Sequence, residues 1–135
     1  MEIIHTFSDG GATGNPGPSA IGVVLKSPDG TILVAHGEYV GDGTNNQAEY
    51  KALKKALELA LKEGHSNVIA HLDSELVVKQ MKGEYKVKDV GLAIQFAEAK
   101  ALAAKFDSVK YTHIRREFNS EADALVNKIL DEAGY

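Results

Sequence analysis

The spacing of apolar and polar positions divides the chain into short β-prone runs followed by longer helical ones. Glu2 to Ser8 is β-prone, and Ile21 to Lys26 is an apolar run of the kind a buried strand carries. Ser27-Pro28-Asp29-Gly30 is a turn signal, and Thr31 to Val40 returns as a third strand, which predicts an antiparallel hairpin. From Thr44 to Leu61 the apolar positions recur with the helical period, and Gly64 stands where a helix would be capped. Asn67 to Leu72 is a short apolar strand, Ser74 to Met81 a short helix ended by Gly83, and Leu92 to Ala104 an Ala-rich helix. Val109 to Ile114 reads as a strand and Ser120 to Ala133 as a closing helix. The resulting order, β-β-β-α-β-α-α-β-α, describes an α/β fold: a mixed five-stranded sheet, antiparallel meander plus parallel strands, flanked by helices. The one Gly/Pro-rich segment, Gly10 to Pro18, reads as a turn and comes too early to separate domains, so a single domain over residues 1–135 is expected.

Composition changes this picture only at its edges. With 44% hydrophobic residues, the chain has enough apolar material for one core. The absence of cysteine excludes disulfides and zinc–thiolate sites. The opening residues lack the basic start and apolar run of a signal peptide, and nothing approaches the about 18 uninterrupted apolar residues of a membrane span. A cytoplasmic monomer without a membrane partner is the expectation. The net charge of −4 matters more. Proteins that grip nucleic acid over a wide surface are usually basic, so any such contact here must be local, partly metal-mediated and salt-sensitive.

Four carboxylates are candidate metal ligands, and each has a structural explanation. Asp9 precedes Gly10-Gly11, and Asp-Gly after a strand is a common turn pair. The glycine-rich loop that follows lacks the Gly-Lys-Ser/Thr ending of a phosphate-binding loop. Glu49 heads the helical stripe Ala52, Leu53, Ala56 and Ala60, which should face the core. A capping box over Asn46-Gln47-Ala48-Glu49 would account for a glutamate there, but not for its pointing inward, where a charge is costly unless paired or metal-bound. Asp73 ends the strand Val68 to Leu72 and precedes a helix, as an N-cap would. It also stands at a strand's carboxyl end, where α/β sheets bind ligands. Asp123 falls in Ser120-Glu121-Ala122-Asp123, another capping-box pattern, and borders the stripe Ala122, Leu125, Val126 and Ile129. All four acids sit at strand ends or helix starts, which can converge. Hard divalent cations favour such oxygen ligands, and two of them about 4 Å apart can drive phosphodiester hydrolysis.

Four segments carry a resemblance. Ser8-Asp9-Gly10-Gly11-Ala12-Thr13-Gly14-Asn15-Pro16-Gly17-Pro18, Thr44-Asn45-Asn46-Gln47-Ala48-Glu49, Leu72-Asp73-Ser74 and Asn119-Ser120-Glu121-Ala122-Asp123-Ala124-Leu125 are similar, in order, to the signature segments of the type 1 ribonuclease H family. The likeness spans essentially the whole chain. It implies a ribonuclease H-like fold and an endonuclease that hydrolyses the RNA strand of RNA–DNA hybrids, leaving 3′-hydroxyl and 5′-phosphate ends. It further implies two Mg2+ or Mn2+ ions held by Asp9, Glu49, Asp73 and Asp123. Gly10, Gly11, Asn15, Asn45, Asn46 and Gln47 match positions lining the hybrid's minor groove, and Thr44 one near the DNA phosphate.

The resemblance is incomplete in two places. Many members of the family carry a histidine in the loop before the last aspartate, where this chain has Arg116. Arginine cannot trade protons near neutral pH, although it can hold a phosphate bidentately, and Arg115 and Arg116 read either as phosphate contacts or as an exposed basic pair in a loop. His113, three residues earlier, reads as a structural strand-end residue. The basic, aromatic-rich protrusion of some bacterial members is missing, since Met81 to Asp89 is short and its lysines are balanced by acids. A nuclease of the same fold acting on duplex RNA or DNA, and a catalytically silent hybrid-binding module, are the alternatives.

Overall fold

A computed structural model of the chain describes residues 2–135. Three strands lead, β1 (Ile3–Ala12), β2 (Gly17–Lys26) and β3 (Ile32–Gly43), followed by α1 (Asn45–Lys62) and β4 (Asn67–Leu72). Then come α2 (Glu75–Met81), α3 (Val90–Ala103), β5 (Ser108–His113), a single 3-10 turn at Arg116–Phe118, and α4 (Ser120–Glu132). The sheet order is β3-β2-β1-β4-β5. β1, β2 and β3 pair antiparallel, while β4 runs parallel to β1 and β5 parallel to β4. The expected mixed sheet is therefore present, with the antiparallel hairpins on one side and the crossover strands on the other.

Two helical layers clasp this sheet. α1 lies on β1 and β2 with α3 packed on its back, and α4 crosses β2, β3 and β1 on the other side. The main core joins Ile4, Val23 and Leu25 to Leu53, Leu57 and Tyr50 of α1 and Val68 and Leu72 of β4. A smaller cluster forms under α4 around Ala20, Val126 and Leu130.

One expectation is corrected here. The Gly10–Pro18 segment is not all turn: β1 runs through Asp9-Gly10-Gly11 to Ala12, and only residues 13–16 break the hairpin. Glycine in a strand marks close approach of another backbone. A Cβ on Gly10 would overlap the Ala48 carbonyl, and one on Gly22 would overlap the Ala122 carbonyl oxygen. These two bare positions bring the starts of α1 and α4 down onto the sheet from opposite faces. Gly22 is also the cross-strand partner of Asp9. Among the described residues, no helix is long and apolar enough to cross a membrane.

Candidate active site

Each acid is delivered by a different element. Asp9 sits near the carboxyl end of β1, Asp73 directly follows β4, Glu49 lies on the inner face of α1, and Asp123 is in the first turn of α4. One carboxylate oxygen from each of Asp9, Glu49 and Asp73 lies within 4.8 Å of the others. Asp9 and Glu49 are only 4% and 6% exposed. Asp123 stands outside this triad, but it is near enough to help push the Asp9 carboxyl up.

The capping explanations all miss by one or two residues. The capping box of α1 is Thr44 to Gln47: Gln47 N–H donates to Thr44 Oγ1 at 3.1 Å, and Thr44 N–H to Gln47 Oε1 at 2.9 Å. Glu49 is thereby free of capping. Ser74, not Asp73, caps α2 by accepting from Val77 N–H at 3.2 Å. The N-cap position of α4 is Asn119 with no side-chain cap bond, so the Ser120–Asp123 box does not form. Asp123 instead accepts from Asn127 Nδ2 at 3.3 Å. Local helix chemistry leaves all the acids available.

Their electrostatics is unfavourable as it stands. Burial pushes the Asp9 carboxyl up to about 7; a hydrogen bond from Glu49 pulls it back, and the charges of Asp73 and Asp123 push it further up. Glu49 is raised well above the ordinary carboxylate range by burial, then by Asp9 and Asp73. Glu49 Oε1 accepts from Gly10 N–H at 2.5 Å, whereas Oε2 is buried without a hydrogen-bond partner. Two carboxyls this close keep a proton between them unless a cation takes its place. A buried, unpartnered oxygen facing a cluster of hard oxygen donors fits a divalent cation such as magnesium or manganese.

The cleft around the triad is lined by Gly10, Gly11, Asn45, Asn46, Ser74 and Arg116. An adjoining hollow is lined by Asn15, Thr44, Asn46 and Gln47, with Asp89 and Leu92 from the start of α3. Apart from Asp123 and Arg115, the candidate residues therefore fall into two neighbouring pockets that share Asn46. Arg115 belongs to neither: it is 81% exposed at its side chain and pairs with Glu117 at 3.5 Å. His113 ends β5 and is exposed.

Sequence reasoning missed three contributors. Asn119 is 1% exposed, and its Nδ2 donates to the Ser8 carbonyl at 2.9 Å and reaches Asp73 Oδ2 at 3.4 Å. It joins the ends of β1 and β4 to the start of α4. Gly22 lets α4 approach beside Asp9, and its signal was a lone glycine inside an apolar run. Two residues before Asp9 and Asp73, Phe7 and His71 stack at 4.5 Å, with Lys26 Nζ 5.0 Å over the Phe7 ring. His71 bonds His5 ring to ring at 2.9 Å, and burial, then the His5 charge, lowers it to about 4. No motif betrays that floor.

The family model described as reverse transcriptase-like matches residues 7–129. A ribonuclease HI of Halobacterium salinarum is 44% identical over 130 residues, covering 96% of this chain and 65% of that protein. A bifunctional protein of Mycobacterium tuberculosis is 40% identical over 127 residues, and the chain spans 35% of its length. Among solved structures, the RNase H1 of Halobacterium salinarum superposes with a TM-score of 0.94 at 43% identity, over 96% of this chain and 98% of that one. LC11-RNase H1 in complex with an RNA/DNA hybrid gives 0.90 at 43% identity, over 98% and 99%.

Proposed function

The chain belongs to the ribonuclease H family, and on that premise we propose that it is an endonuclease hydrolysing the RNA strand of RNA–DNA hybrids. The observation that carries the reading is the convergence of Asp9, Glu49 and Asp73 in one cleft with Gly10, Gly11, Asn45 and Asn46. A phosphate-binding surface gains nothing from clustered negative charge unless metal offsets it.

Asp9, Glu49, Asp73 and Asp123 would hold two Mg2+ or Mn2+ ions. Bound there, such ions supply the charge that lowers the pKa of an attacking water and stabilises the leaving 3′ oxygen, which accounts for 3′-hydroxyl and 5′-phosphate products. The remaining work belongs to the chain. Gly10 and Gly11 line the cleft, where their main chain would face a sugar–phosphate backbone. Asn15, Asn45, Asn46 and Gln47 would offer amides to a shallow minor groove and its 2′-hydroxyls, and Thr44, in the same hollow, would meet the partner strand's phosphate. Arg116 lines the cleft and stays charged, so it steadies a phosphate rather than moving a proton. Arg115, paired with Glu117 at the rim, adds a peripheral phosphate contact. Residues 1–135 act as one domain and as a monomer in this reading.

The test compares end-labelled RNA–DNA hybrid with duplex RNA, single-stranded RNA and duplex DNA, in magnesium, manganese or chelator. Internal cleavage of the hybrid's RNA that requires metal and vanishes in Asp9→Asn supports the reading. A hybrid that stays intact with every metal overturns it.

A further inference from the structure

The amides beside the acid triad are not free to turn. Asn45 Oδ1 accepts from Ala12 N–H at 2.8 Å, Asn15 Oδ1 from Asn45 N–H at 2.9 Å, and Gln47 Oε1 from Thr44 N–H at 2.9 Å. An amide's oxygen and nitrogen are hard to tell apart by shape, but here the partners settle the assignment. A backbone N–H can only donate, so each side chain must present its oxygen to the protein. All three amide oxygens are thus committed to the β1–β2 turn and the start of α1. The NH2 groups of Asn15, Asn45 and Gln47 have no hydrogen-bond partner among the described residues.

We propose that Asn15, Asn45 and Gln47 form a donor-only reading head, which binds minor-groove acceptors and disfavours guanine wherever its 2-amino group faces one of them. This rests on the reading of this face as a hybrid-binding surface. Every base offers a minor-groove acceptor, N3 on purines and O2 on pyrimidines, and guanine alone adds a donor. A donor-only surface accepts any sequence through those acceptors and through the oxygen of a 2′-hydroxyl. At guanine, two N–H groups oppose one another and one of them loses its partner. Asn46 lies outside the rule: its side chain makes no such bond, so it can present either atom, and it lines both pockets.

The experiment measures Kd by fluorescence anisotropy for hybrids of one sequence in which guanine is replaced by inosine, which lacks the amino group. A companion hybrid replaces adenine by 2,6-diaminopurine, which adds one. Both swaps change duplex stability along with the amino group, so the groove contact is read from how two protein variants, measured on the same hybrids, alter the preference. Inosine should tighten binding about fivefold, the equivalent of one ordinary hydrogen bond, and diaminopurine should weaken it. Asn45→Asp and Gln47→Glu keep an oxygen for the same backbone N–H but replace the donor with an acceptor. Their absolute affinity falls through repulsion of phosphate, while the preference for inosine should disappear or invert. Equal Kd for guanine and inosine hybrids in the unaltered protein overturns the donor-only assignment and leaves the hybrid reading standing. Failure to bind any hybrid overturns both. Inosine-preferring binding without cleavage supports the assignment and counts against the nuclease reading alone.

Discussion

The acid triad and the amide cluster are neighbours around Asn46, yet they are built on opposite principles. Around Asn15, Thr44, Asn45 and Gln47 the polar groups are exposed or half-exposed, and their oxygens are matched to backbone donors. A few ångströms of chain away, Asp9 and Glu49 are buried, mutually repelling, and left with an unpartnered oxygen. In the first region the protein holds the amide oxygens and leaves the NH2 groups to a ligand. The second is stable only with a proton or a cation in its midst. The difference separates recognition, which profits from fixed geometry, from a charged centre that the fold holds at a cost in its own stability.

The sharpest way to break the contrast is Asp9→Asn. Removing one charge from the triad should abolish hybrid cleavage while raising the melting temperature of the metal-free protein at pH 8 by about 4 °C or more, measured calorimetrically. A lower melting temperature would mean that the acids are not in conflict.

Next in size is Gly22→Ala. Its Cβ would overlap the Ala122 carbonyl oxygen, so α4 must back away from β2 and carry Asp123 off Asp9. The expected loss is about 1–3 kcal/mol of stability in urea denaturation, with weaker Mn2+ binding. Stability and metal affinity that both match the parent would show that α4 does not need this approach.

The smallest effect is the pH dependence of the metal-free protein. Asp9 is raised from 3.8 to about 7, so the folded state binds the extra proton and stability grows as pH falls through 7. His71 is lowered from 6.5 to about 4, so its contribution is present above 6.5 and is lost as pH falls from there towards 4. Glu49, raised for the same reason, adds to the gain, so unfolding free energy should rise from pH 8 to about 6.5 and more slowly below, where His71 opposes it. With saturating magnesium the rise should disappear, because the acids then stay ionised. A rise that persists in metal would locate the proton elsewhere.

The fold was largely legible because period changes mark its elements. β4 (Asn67–Leu72) has the bounds that its apolar run predicts, and α1 begins at Asn45, behind the Thr44 that the helical pattern included. Where reading failed, two backbones meet. Asp9-Gly10 looks like a turn because the tolerance that suits glycine to turns also suits it to a strand crossed closely by a helix. The acids were legible only as candidates, since Asp9 opens an Asp-Gly pair that also suits a turn and the other three each stand beside a residue able to cap the same helix. Choosing Ser74 over Asp73, or Gln47 over Glu49, depends on a register of one or two residues that propensity does not resolve. Asn119 opens the fourth signature segment, but its bonds, like the Phe7–His71 stack, join strands distant in sequence and left no local pattern. Arg116 does line the acid cleft, and Arg115 does not.

With Asp9 and Glu49 both raised by burial, a divalent cation entering the triad should displace a proton. Isothermal titration of Mn2+ at pH 7, repeated in buffers of different ionisation enthalpy, counts that proton directly. The expected result is binding with net proton release from the parent protein, and little binding or release from Asp9→Asn. Binding without proton release, or the same release from the variant, would contradict the account.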